Sequence, residues 1–170
     1  MTDSDFREAY RQHKDVLYRF AWRMTGSATV AEDLVHDCFL MLWRSTVAFD
    51  RDRGTLRSFL LGVMRNLALR HLRASHPNDP LEEECSICDP LDLETGERAA
   101  MVAKAVAALP PLQRESLILA EYEELSLDEI ARVTGAELAA VKSRLHRARE
   151  NLRRLLLPLL EPKGKAYGTQ

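Results

Sequence analysis

The chain has 170 residues, of which 46% are hydrophobic and 29% charged, and its formal charge is −2. That length suits one ordinary domain or two small ones, and with only 6% aromatic residues the composition fits a water-soluble helical protein. No run approaches the ~20 apolar residues of a membrane span, the polar opening MTDSDFREAYRQHKD lacks a signal-peptide core, and three cysteines argue against a secreted disulfide framework. A cytoplasmic protein with no membrane contact of its own is expected.

In chain order, the pattern predicts a first helix over 4–25, with Phe6, Tyr10, Leu17, Phe20, Ala21 and Met24 near one side and Gly26 past its end. Ser27 is placed to cap a second helix running to about Ser45. The stretch TVAFDRDRG, 46–54, reads as a loop. A third helix runs from Leu56 to about Ala74 and carries Phe59, Leu60, Val63, Met64, Leu67, Leu69 and Leu72. These three form a helical block with its own core, assigned to 1–75.

Residues 76–94 break every period. Three prolines and an acidic run read as a flexible linker. From 78 to 98, eight acidic residues face Arg98 alone, so the total charge hides a strong segregation. The linker also holds Cys85 and Cys88 as C-x-x-C. A zinc site needs two further ligands, and a reactive thiol needs a helix or cation to lower its pKa. Neither is evident, so no metal or cofactor is expected, and a redox- or metal-responsive variant is the alternative.

A second block, 95–157, reads as four helices. The first spans about 95–109. Pro110 and Pro111 stop it, and Pro111 opens the next, which runs to about Glu123. The segment SLDEIARVTGAELAAVKSRLHRARENLRRLL, 126–156, then predicts two helices joined by a tight turn. Ser126 and Glu129 form a capping box, and Gly135 supplies the positive φ that closes the helix. In the last helix Val141, Leu145, Ala148, Leu152 and Leu155 face a core, while Lys142, His146, Arg149 and Arg153 repeat on a neighbouring face. From 139 to 170 eight basic residues meet only Glu150 and Glu161. A short helix, a glycine turn and a basic amphipathic helix is the helix-turn-helix arrangement that enters the DNA major groove. The tail 158–170 is expected to fray after Pro158.

Two further constellations carry chemistry. In AEDLVHDCFLMLWR, 31–44, Leu34, Cys38, Met41 and Leu42 form an apolar face. Asp33, His36, Asp37 and Leu40 stack on another, an acidic stripe edged by Phe39 and suited to a basic protein surface. In RDRGTLRSFLLGVMRNLALRHLR, 51–73, six arginines with Asn66, His71 and Phe59 suit single-stranded DNA, whose backbone is tracked by charge and whose bases stack or hydrogen-bond.

With these parts in order, the chain resembles the extracytoplasmic-function sigma factors of bacterial RNA polymerase, over roughly 5–75 and 95–157. AEDLVHDCFLMLWR is similar to that family's polymerase-binding segment, FLLGVMRNLALRHLR to its promoter-melting helix, and ALPPLQRESLILAEYEELSLDEIARVTG with VKSRLHRARENLR to its C-terminal DNA-binding region. The resemblance implies an all-α chain of two small helical domains. It implies a non-enzymatic initiation factor whose partners are core RNA polymerase, promoter DNA and an anti-sigma factor. It assigns Asp33, His36, Asp37, Phe39 and Leu40 to polymerase. Arg51, Arg53, Arg65, Asn66 and Arg70 go to the −10 element, with Asn66 beside a flipped base. Lys142, Ser143, Arg144, His146 and Arg147 go to the −35 element. His36 stands where the family usually has Gln, and Arg70 where it often has an acid. A stand-alone helix-turn-helix regulator would account for 126–156 but not for the first 75 residues.

Overall fold

The computed structural model describes residues 2–44, 49–78 and 98–160, and every regular element among them is helical. Helix α1 (Asp3–Thr25) begins earlier than the apolar pattern predicts, because Thr2 caps it. The Thr2 hydroxyl accepts from the Asp5 N–H at 3.1 Å, and the Asp5 carboxylate accepts from the Thr2 N–H at 3.0 Å. Helix α2 (Ala28–Trp43) is capped by Ser27, and α3 (Leu56–Ser75) by Thr55. A short 3₁₀ turn, Arg51–Arg53, stands between them.

The three helices close around Leu17, Phe20, Met24, Cys38, Leu60 and Met64, all fully buried. Cys38 is a small core residue, and burial pushes its thiol up to about 12. One feature of α3 departs from a simple three-helix block: Leu61 and Ala68 are as buried as Leu60 and Met64. The helix is covered on a second side, by the C-terminal half of the chain.

That half comprises α4 (Arg98–Ala107), α5 (Pro111–Leu117), a π turn (Ile118–Tyr122), α6 (Leu127–Thr134) and α7 (Leu138–Leu160). Pro111 opens α5 as predicted. The predicted helix to about Glu123 runs on to Tyr122, but changes form on the way. After Leu117 the backbone widens into the π turn, the Glu123 N–H reaches the Ile118 carbonyl at 3.1 Å, and Glu124 takes a left-handed φ of 55°. Helix α7 continues through Pro158 to Leu160 instead of ending there. The proline withdraws the one N–H that the Arg154 carbonyl would accept, only two residues before the helix ends, and Leu155 still packs on the core.

The turn between α6 and α7 matches the sequence reading. Ser126 and Glu129 form a reciprocal capping box at 3.2 and 2.8 Å, and Gly135 sits at φ 69°. Val141, Leu145 and Ala148 anchor α7, with Leu152 and Leu155 partly buried beyond them. Gln113, fully buried on α5, accepts from Asn151 on α7 at 2.7 Å and fixes the angle at which α7 leaves the core.

The two halves share one continuous apolar cluster. Their junction is tied by polar groups. The buried Arg114 guanidinium of α5 donates to the Met24 carbonyl in the last turn of α1 and to its own Leu109 carbonyl at 2.8 Å. The Arg23 guanidinium lies 3.9 Å over the Tyr122 ring.

Gly135→Ala forces a Cβ into a left-handed residue and lowers stability by about 1–2 kcal/mol. Ser126→Ala removes the cap at about 1 kcal/mol. Hydrogen bonds from Ser126 hold the Glu129 carboxyl below the usual glutamate range. Its contribution is therefore present above about pH 4.5 and fades as pH falls through the lower, folded value. Urea unfolding of wild type and both variants at pH 7 and pH 3.5 measures all three effects.

Candidate polymerase and nucleic-acid interfaces

On α2, Asp33, His36 and Asp37 are exposed and Leu40 is half-exposed, so the predicted stripe is on the surface. Phe39 is not part of it. It is only 3% exposed, because its ring turns inward against Phe6 (6.0 Å, edge-on) and Tyr10 (4.8 Å) of α1. The placement of Phe39 on the docking edge is thus corrected: i and i+3 spacing put it beside His36, but its neighbours on α1 claim it for the core. Phe6 also meets Trp43 at 4.9 Å. These rings line an open groove between α1 and α2, with His36 and Leu40 on its rim.

The loop before α3 has a built shape. The Asp50 carboxylate accepts from the Asp52 N–H at 2.9 Å, and the resulting turn leaves Arg51 and Arg53 exposed. The Phe49 ring rests on Phe59 of α3 at 5.4 Å. On α3, Asn66 and Arg70 are exposed. Arg65 is occupied. Its Nε and Nη2 donate to both oxygens of Glu115 on α5, at 2.7 and 3.0 Å, and its Nη1 donates to the Asn66 side-chain oxygen at 3.2 Å. One turn before Arg65 on this helix, Gly62 lies under the Val133 carbonyl of α6; a Cβ there would meet that oxygen at 3.4 Å. Arg57 donates to the Glu123 carboxylate at 2.7 Å and to its carbonyl at 3.2 Å. The cleft beside the loop is walled on its far side by Glu129, Arg132 and Val133 of α6.

On α7, Lys142, His146 and Arg147 are exposed, while Ser143 and Arg144 are half-buried. Further along, Arg149 pairs with Glu121 at 2.6 Å and Arg153 lies 3.6 Å from Glu150. The basic face is therefore exposed along α7, with Arg149 and Arg153 lying beside carboxylates in its second half.

Sequence reasoning missed Gln113, Glu115 and Glu123. In the pattern they read as polar surface positions, yet all three are buried. The only available signal was Pro-Pro followed by a short helix carrying Gln, Arg and Glu between two apolar runs. Cys85 and Cys88 lie outside the described residues.

Glu115 is fully buried, and desolvation raises its pKa above the ordinary glutamate value, against the downward pull of Arg65, Arg144 and Arg73. Arg65→Ala leaves this carboxylate buried without its fork, and costs about 3 kcal/mol at pH 7. A carboxyl raised in the fold favours the folded state most below about pH 4.5, and that contribution is lost as pH rises through its folded value. The deficit of Arg65→Ala therefore shrinks as pH falls and Glu115 protonates. Denaturant unfolding across pH 4–8 reads both magnitude and sign.

Two family models match the chain in order: Sigma-70 region 2 over residues 9–76 and Sigma-70, region 4 over residues 99–152. Its relatives include the ECF RNA polymerase sigma factor SigE of Mycolicibacterium smegmatis, 32% identical over 86% of this chain and 59% of SigE. SigM of Mycobacterium tuberculosis is 32% identical over 89% of this chain and 76% of SigM. Among solved structures, the sigma factor RpoE in complex with the anti-sigma factor NepR from Bartonella quintana overlays with a TM-score of 0.71 at 25% identity, over 90% of this chain and 97% of that one. CnrH in complex with the cytosolic domain of CnrY overlays with a TM-score of 0.69 at 25% identity, over 92% and 90% of the two chains. With both regions in the family's order and SigM aligned along most of its length, the chain belongs to the extracytoplasmic-function sigma factors.

Proposed function

We propose that the chain directs core RNA polymerase to specific promoters and stabilises the melted DNA there. The observation that carries this reading is the pairing of two separate basic helices, α3 and α7, each in its own matched region and each bearing exposed cationic or amide side chains. A repressor needs only the second.

In this reading Asp33, His36, Asp37 and Leu40 dock on a basic surface of polymerase, and buried Phe39 holds α2 in place rather than making the contact. Lys142, Ser143, Arg144, His146 and Arg147 enter the major groove of the −35 element with the start of α7, where a bidentate arginine–guanine contact discriminates bases and a lysine–phosphate contact does not. Arg51 and Arg53 on the 3₁₀ turn, with Asn66, Arg70 and Arg65 on α3, hold the unpaired −10 strand. Because Asn66 would hydrogen-bond only an extruded base, it favours the open state over the duplex. No group of this chain makes or breaks bonds in the scheme; that chemistry is the polymerase's. The site of action is the cytoplasm, and an anti-sigma factor of the kind named with RpoE and CnrH is the expected regulator.

Transcription with core polymerase on a genomic promoter library tests the reading: transcripts appear that core alone does not make. Asp33→Lys with Asp37→Lys abolishes core binding at unchanged helicity. Asn66→Ala leaves closed-complex affinity near wild type and lowers permanganate reactivity of the −10 thymines. An absence of any new transcript from folded protein rejects the assignment.

A further inference from the structure

The first turn of α7 carries no side chain able to donate a hydrogen bond. From Glu137 to Val141 the chain reads Glu, Leu, Ala, Ala, Val, and the first donor is Lys142. In a helix-turn-helix the N-terminal residues of the second helix are the ones that approach base edges. Here that place belongs to Leu138. Its spacing to Val141 and Leu145 continues the core seam, so the pattern alone predicts a covered side chain. The structure instead leaves Leu138 37% exposed, where Val141 is 1% and Leu145 5% exposed. Leu138 also stands four residues before Lys142 and eight before His146, so it borders the exposed cationic stripe.

A lone exposed leucine is ordinary on a protein surface. Leu138 differs in its place, at the tip of a reading helix, with Ala139 exposed beside it and the cations following. The stripe therefore begins with an apolar step. In the major groove, base edges offer acceptors, amino donors and one apolar group, the thymine 5-methyl. Against an acceptor or an amino group, a leucine displaces water and replaces none of its hydrogen bonds. Against the thymine methyl, two apolar surfaces leave water together.

We infer that Leu138 is a specificity-determining residue of the −35 contact, and that it reads a thymine by covering its 5-methyl group. This rests on the −35 assignment of α7. Discrimination there then has two parts. Lys142, Arg144 and Arg147 supply a polar part that weakens with salt, and Leu138 supplies an apolar part that releases no counterion.

The test uses the full chain bound to core polymerase, on a promoter recovered by transcription from the genomic library. Each −35 thymine, on either strand, is replaced in turn by deoxyuridine, which lacks only the 5-methyl. Wild type loses about four-fold in affinity at one of these positions, the worth of one buried methyl. Leu138→Ala folds with unchanged helicity, binds the unmodified promoter more weakly and has no uracil penalty at that position. Its slope of log affinity against log salt equals that of wild type. Leu138→Met keeps an apolar side chain of similar volume and retains the penalty. Equal uracil penalties in wild type and Leu138→Ala overturn the proposal and leave the −35 assignment standing. So does a wild type that has no uracil penalty although −35 base-pair changes weaken its binding. Insensitivity of wild type to every −35 base pair overturns both. If Leu138→Ala loses affinity for core polymerase while the uracil penalty remains, the side chain serves a protein contact and the proposal falls.

Discussion

A fully buried carboxylate has to be matched, and in this chain the match decides how the two halves meet. Glu115 sits at 0% exposure, and the Arg65 fork supplies hydrogen bonds to both of its oxygens. An unpaired carboxylate there would cost several kcal/mol. α5 is therefore held opposite the middle of α3. With α5 fixed, the π turn brings Glu123 to Arg57, and α6 falls across Gly62. The apolar surface of the junction is not selective in this way, because many registers would bury leucine equally well. The charge pairs choose one register, a contribution to specificity more than to net stability.

The helices were legible because their punctuation is local. Ser27, the Ser126–Glu129 box, Pro111 and Gly135 each act within a few residues of themselves. The seam of α7 was legible for a similar reason, since three- and four-residue spacing reports one buried face. The junction was not legible. Its members are arginines and glutamates, whose letters read as surface, and the fact that buries them is a contact across 50 or 66 residues of chain. The same limit explains Phe39 and the second buried side of α3. Periodicity says which residues share a face; it does not say how many faces a helix will have covered.

Candidate site residues were legible as sets more than as states. Asp33, His36 and Asp37, and likewise Lys142, His146 and Arg147, lie exposed on the stripes that their spacing predicts. Arg65 belongs to the right helix, yet its guanidinium is spent on Glu115. A motif match records which side chains recur at a position. It carries no information on whether another part of the chain occupies them.

The occupied arginine also shows how a polar tie differs from an apolar one. An apolar interface pulled open exposes surface at roughly 25 cal/mol per Å² with no new partner. A carboxylate–guanidinium pair pulled open regains water on the acid, and its arginine regains an anion if a phosphate is at hand. The cost of opening then depends on what stands outside. In water without a polyanion, Arg65 and Arg57 gain little over their glutamates and the closed arrangement persists.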